Sequence, residues 1–254
     1  MKIAFVHDIA HVAFDLSKAL NRLGVETEII EATSLFGLVK KIKKSNADIF
    51  HANYVRSPAF AAVLASKPFA VHAHGDDIRY GLSMLQRIAV SKAKMRFYST
   101  QDLAGIMKDS KLLPRPVDLE RFYPRNTPSE KKSVYFRQTT SDQRLTMNEA
   151  NYIDRIQTIS DSRGYELWIA PSMTSIPYNQ MPEFLSQFSL LFDKEFPKNE
   201  YSKTALEALA MKIEVYKENL HGSYDFVVNN HGSDHVARTL LQYYELKESV
   251  IVAN

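Results

Sequence analysis

Cysteine is absent from the chain, which removes both a disulfide framework and thiolate chemistry. Long apolar runs are absent too: none approaches the ~20 residues that span a bilayer. Ile3-Ala4-Phe5-Val6 gives way to His7 and Asp8 too soon for a signal-peptide core, so a cytoplasmic location is expected. Charge of one sign gathers in one place only, Lys40-Lys41-Ile42-Lys43-Lys44, and the formal net charge is a modest +3. Nucleic acid is therefore not demanded as a partner. The lysine cluster reads as the solvated face of a helix, with weak peripheral attraction to anionic membranes as its other use. Low-complexity tracts and short repeats are also missing. What remains is an ordinary soluble composition, 45% hydrophobic and 24% charged, and 254 residues favour two domains over one.

The first half alternates strand-like and helix-like segments. Lys2–Val6 reads as a buried strand, and Val12, Leu16, Ala19, Leu20 and Leu23 then recur at helical spacing until Gly24 stops the helix. A strand at 25–30, a helix at 34–44, a strand at 48–52 and an Ala-rich helix opened by Pro58 follow. Next come a strand from Phe69, a helix at 82–93, a strand at 95–98, a helix begun by Ser99 or Thr100, and a short strand near 111–114. This rhythm means βαβ units and a parallel sheet. Prolines 116, 124 and 128 mark a polar connection over 115–132. The second half repeats the rhythm in miniature, with strands at 133–136, 165–169, 189–192, 213–216 and 226–228. Its helices are expected at 148–160, 181–188, 203–211 and 234–246. The expected architecture is α/β, two Rossmann-like domains facing a cleft. Residues 1–125 form the first and 126–254 the smaller second, whose last helix can cross back.

Polar chemistry gathers at strand ends. His7 with Asp8, His51 with Asn53, and His72 and His74 with Asp76 and Asp77 all lie where strands end, and His11 lies a turn beyond the first. In a parallel sheet these ends share one edge, where open α/β sheets present their ligands. For any one histidine a structural role is the simpler reading; the convergence of four points to a site. His72 and His74 are expected to face opposite sides of the sheet unless the strand has already turned. With no helical His-x-x-x-His either, the spacing does not build a metal site.

In the second half the informative residues are cationic and helix-terminal. Arg137 ends a strand, and the polar loop after it carries Arg144. Ser202 caps a helix bearing Lys203, Thr204 and Glu207. A helix start offers N–H groups and a positive dipole end, which suit phosphate, and arginines add charge-assisted hydrogen bonds. Glu207 is placed to accept bonds from sugar hydroxyls. Alternatively it pairs with Lys203 at i−4.

Four motifs in order resemble the GT-B glycosyltransferases, particularly retaining family 4. Asp48-Ile49-Phe50-His51-Ala52 is similar to that family's third strand. Lys67-Pro68-Phe69-Ala70-Val71-His72-Ala73-His74-Gly75-Asp76-Asp77 is similar to its K-P…H-G-x-D segment. Leu113-Pro114-Arg115-Pro116-Val117-Asp118 through Phe122-Tyr123-Pro124 resembles its interdomain signature. Thr204-Ala205-Leu206-Glu207-Ala208-Leu209-Ala210 resembles its L-E-A-M-A helix.

The resemblance implies sugar transfer from a nucleotide diphosphate-sugar, UDP- or GDP-linked, to a glycan, lipid or small-molecule acceptor. It implies retained anomeric configuration and no metal or other cofactor. His74 would orient the reacting sugar, with Asp76 or Asp77 on acceptor hydroxyls or taking the proton. Arg137, Arg144, Ser202, Lys203 and Thr204 would hold the diphosphate and Glu207 the ribose, while His7, Asp8, His11, His51 and Asn53 would line the acceptor side. Three departures stand out. The usual glycine-rich turn is Asp8-Ile9-Ala10-His11-Val12; the family's first glutamate falls on Asn199, with Glu200 one residue off; and Lys212 and Glu214 replace a glycine and a proline. They keep two alternatives in view, a non-catalytic glycan- or nucleotide-binding relative and a sugar-nucleotide epimerase.

Overall fold

A computed structural model describes residues 1–75, 77–125, 131–137, 147–171, 175–193, 200–218 and 220–252, with the backbone alone at 147–148 and 246–252. The chain divides into two compact units, Met1–Pro116 with Asn230–Asn254, and Val117–Asn229.

The first unit runs β1 (Lys2–Val6), α1 (Val12–Arg22), β2 (Glu26–Ile30), α2 (Leu35–Lys44), β3 (Ile49–Asn53), α3 (Ser57–Ala65), β4 (Phe69–Ala73), α4 (Met84–Lys92), β5 (Met95–Tyr98) and the two-residue β6 (Lys111–Leu112). All six strands are parallel, in the order β2-β1-β3-β4-β5-β6. The register pairs Val6 with Ala52, Asn53 with His72, and Ala73 with Tyr98, so the strands end along one edge. Alternation along the strands divides the core. Ile3, Phe5, Ala70 and Phe97 pack against α1 and the last helix of the chain. Ala4, Val6, Phe50, Ala52 and Val71 pack against α2, α3 and α4. Local sequence sets the helix ends: Ser34 accepts from Gly37 N–H, Pro58 sits in the first turn of α3, and Ser83 forms a capping box with Gln86.

The second unit contains β7 (Lys132–Phe136), α5 (Met147–Ser162), β8 (Glu166–Ala170), α6 (Met181–Leu185), β9 (Leu190–Phe192), α7 (Lys203–Ala210), β10 (Glu214–Tyr216) and most of α8 (Tyr224–His231). Its described strands form a parallel sheet in the order β10-β9-β7-β8. Val117 and Phe122, from the proline-marked stretch, belong to its core with Val134, Leu191 and Leu206. The closing helix α9 (Ser233–Val252) lays Val236, Ala237, Leu240 and Tyr244 on the first unit's sheet.

Two expected elements differ. The helix after Ser99 is a single tight turn, Gln101–Leu103, because Gly105 with φ +84° soon diverts the chain. The strand expected at 226–228 is part of α8. Ser223 Oγ accepts the Phe226 N–H, and Val227 alone of the three apolar residues is buried. A three-residue apolar run carries no period, so it does not distinguish the two states.

Candidate functional site

Strand order reverses between β1 and β3, and loops at such a point open the ligand crevice of a parallel sheet. Left-handed backbone concentrates there: His7 (φ 72°), Ala10 (47°) and His11 (60°) follow β1, and Tyr54 (129°) follows β3. The conformations that a glycine-rich turn supplies without strain are thus adopted by residues with a Cβ, a cost typical of functional loops. Asn53 Nδ2 donates to the His7 carbonyl (3.1 Å), tying the two loops. Asp8 faces inward, its Oδ1 accepting the Ala13 N–H (2.8 Å) and Phe14 N–H (3.3 Å) in the first turn of α1. This carboxylate does the capping that His11, the residue at the helix start, does not. His11 Nδ1 lies 3.6 Å from Asp8 Oδ2.

Beside this point three histidines pack together in the interior. His51 and His72 are fully buried and His74 is 9% exposed. The carbonyl of Leu113 sets their tautomers. It can only accept, so His72 Nε2 carries the proton it donates there (3.1 Å), which leaves His72 Nδ1 as an acceptor. His51 Nε2–H donates to that acceptor (3.3 Å), and His51 Nδ1 in turn accepts from the Tyr244 hydroxyl (2.7 Å). The relay Tyr244→His51→His72→Leu113 is satisfied with both rings neutral. Burial enforces that state, holding His51 down at about 3 and His72 well below the ordinary histidine range. His51, expected on the acceptor side, is instead an interior group between Phe5, Phe97 and Tyr244.

His74 differs from both. Its ring lies 4.1 Å from that of His72, inclined at 44°, and neither ring nitrogen has a hydrogen-bond partner among the described residues. The opposite-face expectation fails on the strand period itself: residues two apart, as His72 and His74 are, point to the same side, and the backbone turns only after both, at Gly75 (φ +123°). Burial first, then the guanidinium of Arg115, keep His74 neutral. Arg115 also donates to the His74 carbonyl (3.0 Å), and its own carbonyl accepts from His231 (2.9 Å).

Asp77 holds this turn in place. Its Oδ1 accepts the N–H groups of His74 and Gly75 (both 3.1 Å) and its Oδ2 that of Val55 (2.8 Å), while Gln86 donates to its carbonyl (2.7 Å). Both oxygens are engaged by backbone, and burial pushes the carboxyl upward against those bonds. Asp76 lies outside the described residues.

In the second unit, Arg137 follows β7 and its N–H continues the ladder to the Ala170 carbonyl (3.1 Å). Ser202 caps α7, its Oγ accepting the Ala205 N–H (3.1 Å). Lys203 Nζ lies 3.0 Å from Glu207 Oε1, both side chains buried, and Tyr178 Oη donates to the same oxygen (3.2 Å). The i, i+4 alternative read from the sequence is therefore formed. Arg144 and Asn199 lie outside the described residues, and Glu200 is half-buried at the approach to α7. One buried pair escaped the sequence reading. Asp193 Oδ2, just past β9, accepts from Lys217 Nζ (3.0 Å) and from Ser202 N–H (2.9 Å), which fixes where α7 starts. Its signal was a carboxylate directly after an apolar strand. Tyr244 was equally legible, one i+4 step beyond Val236 and Leu240.

No group of three or more His, Asp or Glu among the described residues is arranged to hold a metal ion, and no helix among them is long and apolar enough to cross a membrane. Two parallel sheets, each with its own helices, define a protein of two Rossmann-like units. No family model and no curated protein matches the sequence. Solved structures do. AviGT4, a glycosyltransferase involved in avilamycin A biosynthesis, superimposes with a TM-score of 0.60 at 13% identity over 96% of this chain and 97% of that one. The UDP-GlcNAc 2-epimerase of Methanocaldococcus jannaschii, solved with UDP-GlcNAc and UDP, does so with 0.55 at 9% identity over 97% and 100%. At such identities the likeness is one of fold, and the fold is GT-B.

Proposed function

We propose that the protein is a glycosyltransferase that moves a sugar from a nucleotide diphosphate-sugar to an acceptor hydroxyl, with retained configuration and without a metal. The reading rests chiefly on His74, a neutral buried imidazole at a strand end whose two ring nitrogens have no partner among the described residues. A neutral imidazole donates from one nitrogen and accepts at the other, which matches two neighbouring hydroxyls of a sugar. Arg115 and Asp77 hold the turn that presents it.

On the second unit the proposal assigns the diphosphate to Arg137 and the first-turn amides of α7, where positive charge and the helix dipole offset the leaving group's charge. Arg144 belongs to the same set. Lys203 is engaged with Glu207, so contact of either with the nucleotide requires that pair to share its atoms with the ligand. In the reaction the acceptor oxygen bonds to the anomeric carbon as the bond to the diphosphate breaks. Because Asp77 spends both oxygens on backbone N–H groups, the departing diphosphate oxygen takes the acceptor's proton.

Titration calorimetry with UDP and GDP is the first test, and Arg137→Ala is expected to weaken binding of the preferred nucleotide at least tenfold. No heat with either at millimolar concentration sinks the reading. Incubation of the protein with nucleotide-sugars is the second test: slow donor hydrolysis that His74→Ala abolishes supports transfer. Two other readings have observations behind them. The Lys203–Glu207 pair favours a non-catalytic binder, which would bind nucleotide without turnover. The fold shared with the epimerase favours interconversion of the donor itself with no acceptor present.

A further inference from the structure

One face of the first unit is unlike the rest of the molecule. Helices α2, α3 and α4, which cover one side of its sheet, carry Lys40, Lys41, Lys43, Lys44, Arg87 and Lys92 and no carboxylate, although the chain's net charge is only +3. The remainder of the chain therefore sums to −3. The same helices expose large apolar side chains where they begin. Phe36 is 85% exposed at the start of α2, Tyr80 88% in the loop before α4, and Met84 79% and Leu85 60% in the first turn of α4.

These groups are neighbours, because a single pocket of about 860 Å³ is lined by Leu35, Arg56, Phe60, Tyr80, Leu85 and Arg87 among others. Phe36 and Met84 flank its lining residues in sequence. Periodicity aligns the two kinds of side chain. Phe36, Lys40 and Lys43 fall at i, i+4 and i+7 on one exposed stripe of α2, and Met84, Ile88 and Lys92 at i, i+4 and i+8 on α4. Each stripe is apolar at its N-terminal end and cationic one to two turns later, a separation of ~6–12 Å at 1.5 Å per residue.

We propose that this face docks the protein on an anionic lipid bilayer. Phe36, Tyr80, Met84 and Leu85 enter the acyl boundary while the lysines of α2 and α4 lie at headgroup depth. An acidic protein surface would match the charge but leave four projecting apolar side chains to be buried singly. A bilayer accepts both layers at once, at the two depths where the helices place them. The proposal goes beyond the catalytic reading and does not rest on it.

The test is co-sedimentation of the full chain with vesicles of phosphatidylcholine alone and of phosphatidylcholine with one quarter phosphatidylglycerol, at 0.1 M salt. Binding is expected to the anionic vesicles and to weaken about fivefold for each of Lys40, Lys43 and Lys44 changed to Gln. Phe36→Ser with Met84→Ser and Leu85→Ser is expected to lower it at least tenfold at unchanged circular dichroism, since these exposed residues do not hold the fold. Retention of the wild-type chain in the supernatant overturns the proposal, as does a triple variant that binds like wild type. A wild-type dimer that ignores vesicles and is lost in the triple variant also overturns it, and assigns the face to a second copy of the chain. UDP titration on the same samples reports the catalytic reading separately, so vesicle binding without nucleotide binding leaves the docking face standing and the transferase reading refuted.

Discussion

Acidification should unfold the first unit through its interior histidines. In the unfolded chain a histidine titrates near 6.5, whereas folded His51 is held at about 3 by burial. A folded value below the unfolded one means that the unfolded state takes up the proton first. The stability contributed by neutral His51 is therefore complete above pH ~6.5 and drains away as pH falls toward 3. The loss is about 1.4 kcal/mol per pH unit, or about 2 kcal/mol between pH 7 and pH 5 for His51 alone. His72 and His74 are lowered in the same sense, by burial first and then by the adjacent His74 ring for His72 and by Arg115 for His74, so their losses add. Asp77, raised by burial, works in the opposite sense: its share is regained as pH falls toward the ordinary carboxylate range. Against a typical domain stability of ~5–15 kcal/mol this is a large effect.

The assay is urea denaturation at several pH values from 7 to 5, followed by far-UV circular dichroism. Fluorescence of Trp168 recorded alongside reports the second unit, which contains none of the three rings. His51→Gln keeps a donor toward His72 and an acceptor toward Tyr244 but cannot titrate, so its slope should be shallower by about 1.4 kcal/mol per pH unit. Unfolding free energy that stays flat to within ~0.5 kcal/mol over the window, or a His51→Gln slope equal to that of the wild type, would refute the reasoning.

Lys217→Met strands the buried Asp193 carboxylate and should destabilise the second unit by ~3–5 kcal/mol, read by Trp168 fluorescence in urea. The companion Asp193→Asn in the same chain should recover much of that loss, and a double variant no better than the single one counts against the pairing. Asp77→Asn turns an amide NH₂ toward an N–H that now finds an oxygen, at a cost of ~1–3 kcal/mol in the first unit, measurable by the same urea titration. Ala10→Gly relieves a left-handed backbone (φ 47°) at an exposed position and should stabilise by ~0.5–1 kcal/mol after the entropic penalty of glycine; a loss of stability would show that the turn is not strained there.

Much of the molecule was legible from the sequence because the determining interactions are local. Strand and helix periods, the caps at Ser34 and Ser202, Pro58 in a first turn and Gly24 after α1 act within a few residues, and the order of βαβ units follows from them. The Lys203–Glu207 pair was readable on the same ground, being one helical turn apart, although sequence could not say whether a ligand or the lysine takes the carboxylate. Tertiary structure decided the rest. His51 and Tyr244 are 193 residues apart, and no pattern near either announces the hydrogen bond that makes His51 an interior group. His72 and His74 share a side as the two-residue period of a strand requires, but only the pairing of β4 with its neighbours brought His72 against His51 and the Leu113 carbonyl. Asp77 looked like chemistry at a strand end, yet burial beside the backbone N–H groups of Val55, His74 and Gly75 made it a fastener. The sequence by itself determined which residues would crowd the ends of the parallel strands; only packing, by deciding which polar atoms find partners inside the protein, left His74 a buried imidazole whose ring nitrogens find none among the described residues.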